Sequence, residues 1–211
     1  MEIKQIEWNN YVKEESFKKQ IVLHLTLSGN GIDGDIAHWK NNYSTVSTHF
    51  IIERDGTINQ LFDTKYWSRH LGINNKVFKQ NNLPVLNLDK HSIGIEIDNW
   101  GGLKKIQSNL YETIYGNKIN LTDDRVIYIK EGFMGFQHFE QLTFKQLKSI
   151  KQLLLKLSIE HKIPLVYNKD DMYNLSNKAL QGLEGLYTHR SFRYDKIDLP
   201  FFYYLDELFM D

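Results

Sequence analysis

Between residues 20 and 28, Ile21, Leu23, Leu25 and Leu27 alternate with Val22, His24, Thr26 and Ser28. The period of two predicts a strand, and the scarcity of polar positions predicts one covered on both faces. After a Gly29-Asn30-Gly31 break, residues 33–41 read as a short helix. Residues 48–54 and 57–62 flank Asp55-Gly56, which predicts a hairpin with a two-residue turn because glycine tolerates the positive φ that such turns need. Residues 92–98 give a third strand, with Ile93, Ile95 and Ile97 on one face and Gly94, Glu96 and Asp98 on the other. Residues 100–140 hint at short strands around loops, through Tyr111, Tyr115, Val126, Ile127, Tyr128 and Ile129, without revealing their order. From Phe144 onward, Leu147, Ile150, Leu154 and Leu157 recur at helical spacing. Thr143 and Gln146 make a capping-box pattern before them, and Pro164 follows the stop. The tail, 180–211, carries the run Phe201-Phe202-Tyr203-Tyr204, expected to pack against the body. Strands interleaved with helices predict an α/β fold.

Length and composition narrow this picture. The 211 residues suit one domain with a sizeable core, and the absence of linkers or repeats predicts no internal boundary over 1–211. Lys and Arg number 26 and Asp and Glu 26, so no bulk basic field recruits nucleic acid or an anionic membrane. Zero cysteines exclude a disulfide framework, a thiolate nucleophile and every thiolate metal site. Any metal must then be held by carboxylates and some of the eight histidines. The first twenty residues are too charged for a signal peptide, and no apolar run approaches membrane-spanning length. The expectation is synthesis in the cytoplasm.

An ionisable side chain inside an apolar strand must be paired, ligated or kept neutral. His24 and Glu96 are both so placed, and the loop 189–200 collects His189, Asp195, Lys196 and Asp198, a set able to wrap a metal. Singly, each has a plain structural reading: a hydrogen-bonded core histidine, a salt-bridged carboxylate, a solvated loop. The same holds for His49, His70 and His91.

The joint pattern says more. In order along the chain stand Ile21-Val22-Leu23-His24-Leu25-Thr26, then Ser47-Thr48-His49-Phe50-Ile51-Ile52-Glu53-Arg54-Asp55-Gly56-Thr57-Ile58 with Trp67-Ser68-Arg69-His70-Leu71-Gly72. His91-Ser92-Ile93-Gly94-Ile95-Glu96 follows, and last Thr188-His189 with Lys196-Ile197-Asp198-Leu199-Pro200. Together these segments resemble the zinc-dependent N-acetylmuramoyl-L-alanine amidases of the amidase-2 family, which includes the phage T7-type lysozymes and is related to peptidoglycan recognition proteins. The resemblance covers about residues 20–200. It implies a central mixed sheet flanked by helices and a Zn2+ cofactor held by His24, His189 and Asp198. It also implies Glu96 as acid/base, Lys196 as stabiliser of the reacting carbonyl, and His70, Thr48 and Trp67 along the substrate groove. The reaction implied is hydrolysis of the amide between N-acetylmuramic acid and L-alanine in peptidoglycan, by a monomer that needs no nucleic acid or membrane partner.

Departures from the family pattern refine the expectation. Thr48 stands where the phage lysozymes carry Tyr, and no Cys is present to act as third ligand, which points to the branch that uses Asp as ligand and Glu as acid/base. The family's Asp-Pro-Gly is here Asp198-Leu199-Pro200, so Asp195 competes as ligand; Asp198 is preferred because it keeps Lys196 at the family's two-residue offset. Residues 101–140 form a long insertion whose aromatics are either a packed subcore or a wall on which sugar or peptide stacks. Two rival functions remain: a non-catalytic peptidoglycan-binding module, and a cytosolic amidase that recycles muropeptide fragments.

Overall fold

The computed structural model describes residues 2–29, 31–41, 45–200 and 205. Its strands are β1 (Ile3–Gln5), β2 (Gln20–Leu25), β3 (Phe50–Ile52), β4 (Ile58–Gln60), β5 (Ser92–Ile97), β6 (Gly102–Gln107), β7 (Leu110–Thr113), β8 (Lys118–Asn120), β9 (Val126–Phe133), β10 (Phe136–Glu140) and β11 (Gly185–Thr188). Its helices are α1 (Asp33–Lys40), α2 (Asn75–Gln80), α3 (Phe144–His161), α4 (Lys169–Tyr173) and α5 (Asn177–Leu180). No helix among the described residues is long and apolar enough to cross a membrane. The aromatic run 201–204 lies outside the described residues.

Six strands form a mixed sheet in the order β1-β4-β3-β5-β2-β11, in which β3, β5, β2 and β11 run parallel and β3 and β4 pair antiparallel. The alternation read in β2 and β5 sorts their side chains. Ile21, Leu23, Leu25, Ile93, Ile95 and Ile97 enter one core with Ile150, Leu153, Leu154 and Leu157 of α3. Each such side chain taken out of water contributes roughly 1.5–3 kcal/mol. The capping box at the start of α3 forms as its sequence requires: Thr143 Oγ1 accepts from Gln146 N, and Gln146 Oε1 accepts from Thr143 N, both at 3.0 Å. Lys162, in the left-handed conformation with φ 57°, ends the helix. On the other side of the sheet Val22 packs with Leu71, Phe78, Leu180 and Phe192.

The hairpin forms with one difference. Gly56 N donates to Glu53 O and Glu53 N to Thr57 O, so the connection has three residues, Arg54 to Gly56, with Gly56 at φ +86°. A side chain at Gly56 would also strike the backbone of Lys145 at 2.9 Å. The extra residue matters because it turns Arg54 toward the interior, where it meets Asp98 and Glu140.

Residues 100–140 hold more order than their pattern shows. Five antiparallel strands, β8-β7-β6-β10-β9, make a second sheet. Ile127 and Phe139 join the main core, while Leu103, Tyr111 and Leu121 make a small core of their own. Most of the aromatics here thus pack inward, and Tyr115 stays 68% exposed.

Candidate metal centre and cleft

The parallel strands deliver their C-terminal ends to one place, where open α/β sheets place their ligands. His24 is the penultimate residue of β2, Glu96 the penultimate residue of β5, and the two are direct partners in the ladder. His189 follows β11 immediately. These residues line a cleft of about 780 Å³ together with Thr48, His70, Asp195, Lys196 and Asp198.

His24 Nδ1 lies 2.9 Å from His189 Nδ1, and Asp198 Oδ2 lies 3.1 Å from His189 Nδ1 and 3.7 Å from His24 Nδ1. The far nitrogens decide the tautomers. His189 Nε2 faces the carbonyl of Leu71, at 2.9 Å, so it must donate and its Nδ1 carries a lone pair. Ser92 Oγ donates to Leu88 O and so accepts from His70 Nε2; His70 Nδ1 in turn accepts from His24 Nε2 at 3.0 Å. Two imidazole lone pairs and a carboxylate oxygen therefore converge with no proton among them. Burial, reinforced by His189, His70 and Lys196, holds His24 well below the ordinary histidine pKa, which disfavours an added proton. Burial alone would raise Asp198, but positive charge beside it, from His189 when protonated and from Lys196, draws the carboxyl below the ordinary carboxylate value. Donors about 3.3 Å apart are what a tetrahedral ion with bonds of about 2.0–2.1 Å requires, so the set fits a small divalent cation. It is the one candidate metal cluster among the described residues.

Neighbouring residues explain why the trio is held so. Ser92, Gly94 and Glu96 share one face of β5. Ser92 orients His70, and Gly94 makes room for it, since a Cβ there would lie 2.9 Å from His70 Nδ1. Leu199, buried in the main core, anchors Asp198, and Arg190 donates to Tyr194 O and Lys196 O, fastening the loop that carries Lys196. Asp195 is instead ion-paired with Arg193 at 2.6 Å and stays outside the trio. Glu96 Oε2 is buried with no hydrogen-bond partner among the described residues. Burial first, then Asp198 and Asp35, push its carboxyl well above the usual range, against Lys196.

Of the groove residues expected from sequence, Thr48 lines the cleft with its hydroxyl donating to Phe50 O. His70 also lines it, but its ring nitrogens are both spent on His24 and Ser92, and burial lowers its pKa to about 4. Trp67 is not brought to the cleft: its indole donates to Glu14 Oε2, and its backbone bridges to Val12. Sequence reasoning missed Asp35, on α1, whose carboxyl burial raises to about 7 inside the cleft, and Ile114 on the turn after β7; Tyr115, on the same turn, is one of the insertion aromatics read as either a packed subcore or a stacking wall, and it lines the cleft.

Residues 16–198 match the family described as N-acetylmuramoyl-L-alanine amidase, Amidase_2. No curated protein matches. Among solved structures, N-acetylmuramoyl-L-alanine amidase LysC from Clostridium intestinale URNW is similar with a TM-score of 0.52 and 14% identity, over 99% of this chain and 95% of that one. The endolysine amidase LysCS from the same organism gives 0.51 and 15%, over 98% and 92%. A point mutant of PlyL gives 0.51 and 14%, over 94% and 87%. These likenesses speak to the fold, the mixed sheet with flanking helices, whereas the family match spans most of the sequence and all three residues of the candidate metal cluster. The chain belongs to the Amidase_2 family of N-acetylmuramoyl-L-alanine amidases, and is an enzyme of that class.

Proposed function

We propose that the protein is a zinc amidase that hydrolyses the bond between the lactyl group of N-acetylmuramic acid and L-alanine in peptidoglycan, acting as a monomer. The observation that carries this reading is the convergence of two imidazole lone pairs and one carboxylate beside the unpartnered Glu96. His24, His189 and Asp198 hold the ion. Zinc in such a site supplies a Lewis acid and brings the pKa of water to about 7. Glu96 takes the proton of the attacking water and gives it to the nitrogen as the C–N bond breaks, so the amine leaves neutral. Lys196, on the cleft wall, steadies the negative charge that grows on the carbonyl oxygen.

Metal analysis and mass spectrometry of digested cell walls test this, on the unaltered protein and His189→Ala. About one zinc per chain and stem peptides with free L-alanine amino termini are expected, both lost in the variant. New reducing ends without free L-alanine would establish a glycosidase instead. Wall binding with no turnover in either protein would establish a binding module.

His70 gives a finer test. If it fixes the tautomer of His24, His70→Ala lowers zinc affinity about 10–100-fold in chelator competition. Groove contacts alone would change KM and leave the affinity intact.

A further inference from the structure

The catalytic cleft does not end at its own rim. A second groove of about 570 Å³ runs over the inserted sheet and shares Ile114 with the cleft. Ile114 and Tyr115 stand on the turn between β7 and β8, so the insertion reaches the site where the chemistry takes place. The turn is held firmly. Thr113 Oγ1 accepts from Tyr115 N at 3.3 Å and from Asn117 N at 3.2 Å, Gly116 N donates to Thr113 O at 2.9 Å, and Gly116 sits at φ +80°. An aromatic side chain left 68% exposed on a fixed turn is a preorganised surface, because little ordering entropy is lost when something lies on it. Partial burial and the carboxylates of Asp198, Glu96 and Asp35 hold its phenol above the ordinary range, a sign that it stands within the field of the site.

We propose that the inserted sheet is a glycan subsite, in which Tyr115 stacks on a pyranose ring and the groove beyond Ile114 takes the saccharides that follow. This rests on the amidase reading and extends it to the choice of substrate. The scissile amide joins a sugar to a peptide, so one arm of the binding surface must carry each. The groove's chemistry favours the sugar. Leu103, Ile114 and Phe136 give it apolar floor, and Glu112, Gln137 and His138 give it hydrogen-bonding rim, which matches a ring with C–H faces and hydroxyl edges. Its lining carries two lysines and one glutamate, and little of that charge is left free: Lys104 faces Glu112 across the ladder, and Lys105 pairs at 3.4 Å with Asp123, which lies outside the groove. A stem peptide rich in carboxylates would call for a groove of net positive charge. With one sugar ring, a single muramyl peptide leaves the groove beyond Ile114 empty on this proposal, so the subsite selects polymeric glycan over soluble fragments.

The test compares kcat/KM for zinc-loaded enzyme on a soluble multi-disaccharide glycan bearing stem peptides and on a single-sugar muramyl peptide with the same stem. The polymer-to-fragment ratio is expected to fall about 3- to 10-fold in Tyr115→Ala and to stay near the original in Tyr115→Phe, which keeps the ring. Lys104→Ala, in the groove and away from the cleft, is expected to lower the ratio in the same direction. A ratio that Tyr115→Ala leaves unchanged overturns the subsite. A preference that follows stem length instead of glycan length assigns the groove to peptide and overturns it equally. Cleavage of neither substrate by the unaltered enzyme overturns the amidase reading itself.

Discussion

Glu96→Gln is expected to lower turnover on peptidoglycan about 10²–10⁴-fold while zinc content stays at that of the unaltered enzyme. The substitution keeps the shape of the side chain and removes a cleft carboxylate whose Oε2 is buried without a hydrogen-bond partner among the described residues, as are Ser28 Oγ and Asp35 Oδ2 there, and which alone of these three is the ladder partner of His24. Its stability should move the other way. Burial, Asp198 and Asp35 raise the Glu96 carboxyl well above 4.5, so between the unfolded and folded pKa the native state binds more protons than the unfolded state. Stability contributed by this group therefore falls as pH rises through that window, as the buried carboxyl is driven toward its charged form. Glutamine carries no such charge. Thermal unfolding of the metal-free proteins at pH 7 should show the variant no less stable than the parent. A variant that unfolds early, or one that keeps more than a tenth of the parent's turnover, would remove Glu96 from the role proposed for it.

How much of this was legible in the sequence follows from how local each signal is. β2 and β5 are interior parallel strands, so their alternation is almost uninterrupted, and the two ionisable residues inside them stood out as His24 and Glu96. The cap and apolar stripe of α3 lie within a single segment and could be read directly. The short edge strand β1 could not, because three partly exposed residues carry no period and pair with β4 only in the folded sheet. The second sheet was obscured for a related reason. Lys104 to Gln107 are exposed, so β6 has one covered end and no sustained alternation, and its turns rest on left-handed residues such as Asn109 and Met134 that do not announce themselves. His70 was noticed as a groove residue; its place behind His24 depends on the missing Cβ of Gly94 and the hydroxyl of Ser92, two features far away in sequence. Asp98, read only as a polar position on the Glu96 face, proves to be part of a charge cluster that no spacing rule would connect.

That cluster carries the largest expected effect on stability. Arg54 donates to Asp98 and to both carboxylate oxygens of Glu140, and to the carbonyls of Ser28 and Gly29 at 3.1 and 3.0 Å. Asp98 and Glu140 are completely buried, and Arg125 supplies a second cation to Glu140. One guanidinium thus ties together the β3–β4 hairpin, the end of β5, the end of the inserted sheet and the loop that borders the cleft. Arg54→Met keeps the aliphatic bulk and leaves Asp98 buried without its cation, and such one-sided removals are destabilising by about 3–5 kcal/mol. That is a large fraction of the roughly 5–15 kcal/mol by which proteins stay folded, so urea unfolding at pH 7 should shift to a much lower midpoint. The dependence on pH identifies the cause. Burial already raises the Asp98 carboxyl against the pull of Arg54, and losing the arginine raises it further. A folded pKa above the unfolded one means that the native state binds the extra proton, so the variant regains stability relative to the parent as the pH is lowered from neutral. Asp98→Asn in the Arg54→Met background should recover part of the loss at pH 7 by removing the unpaired charge. A deficit that neither acid nor the second substitution reduces would mean that Arg54 holds the hairpin by packing, over Trp100 at 5.8 Å, and by its two carbonyl contacts.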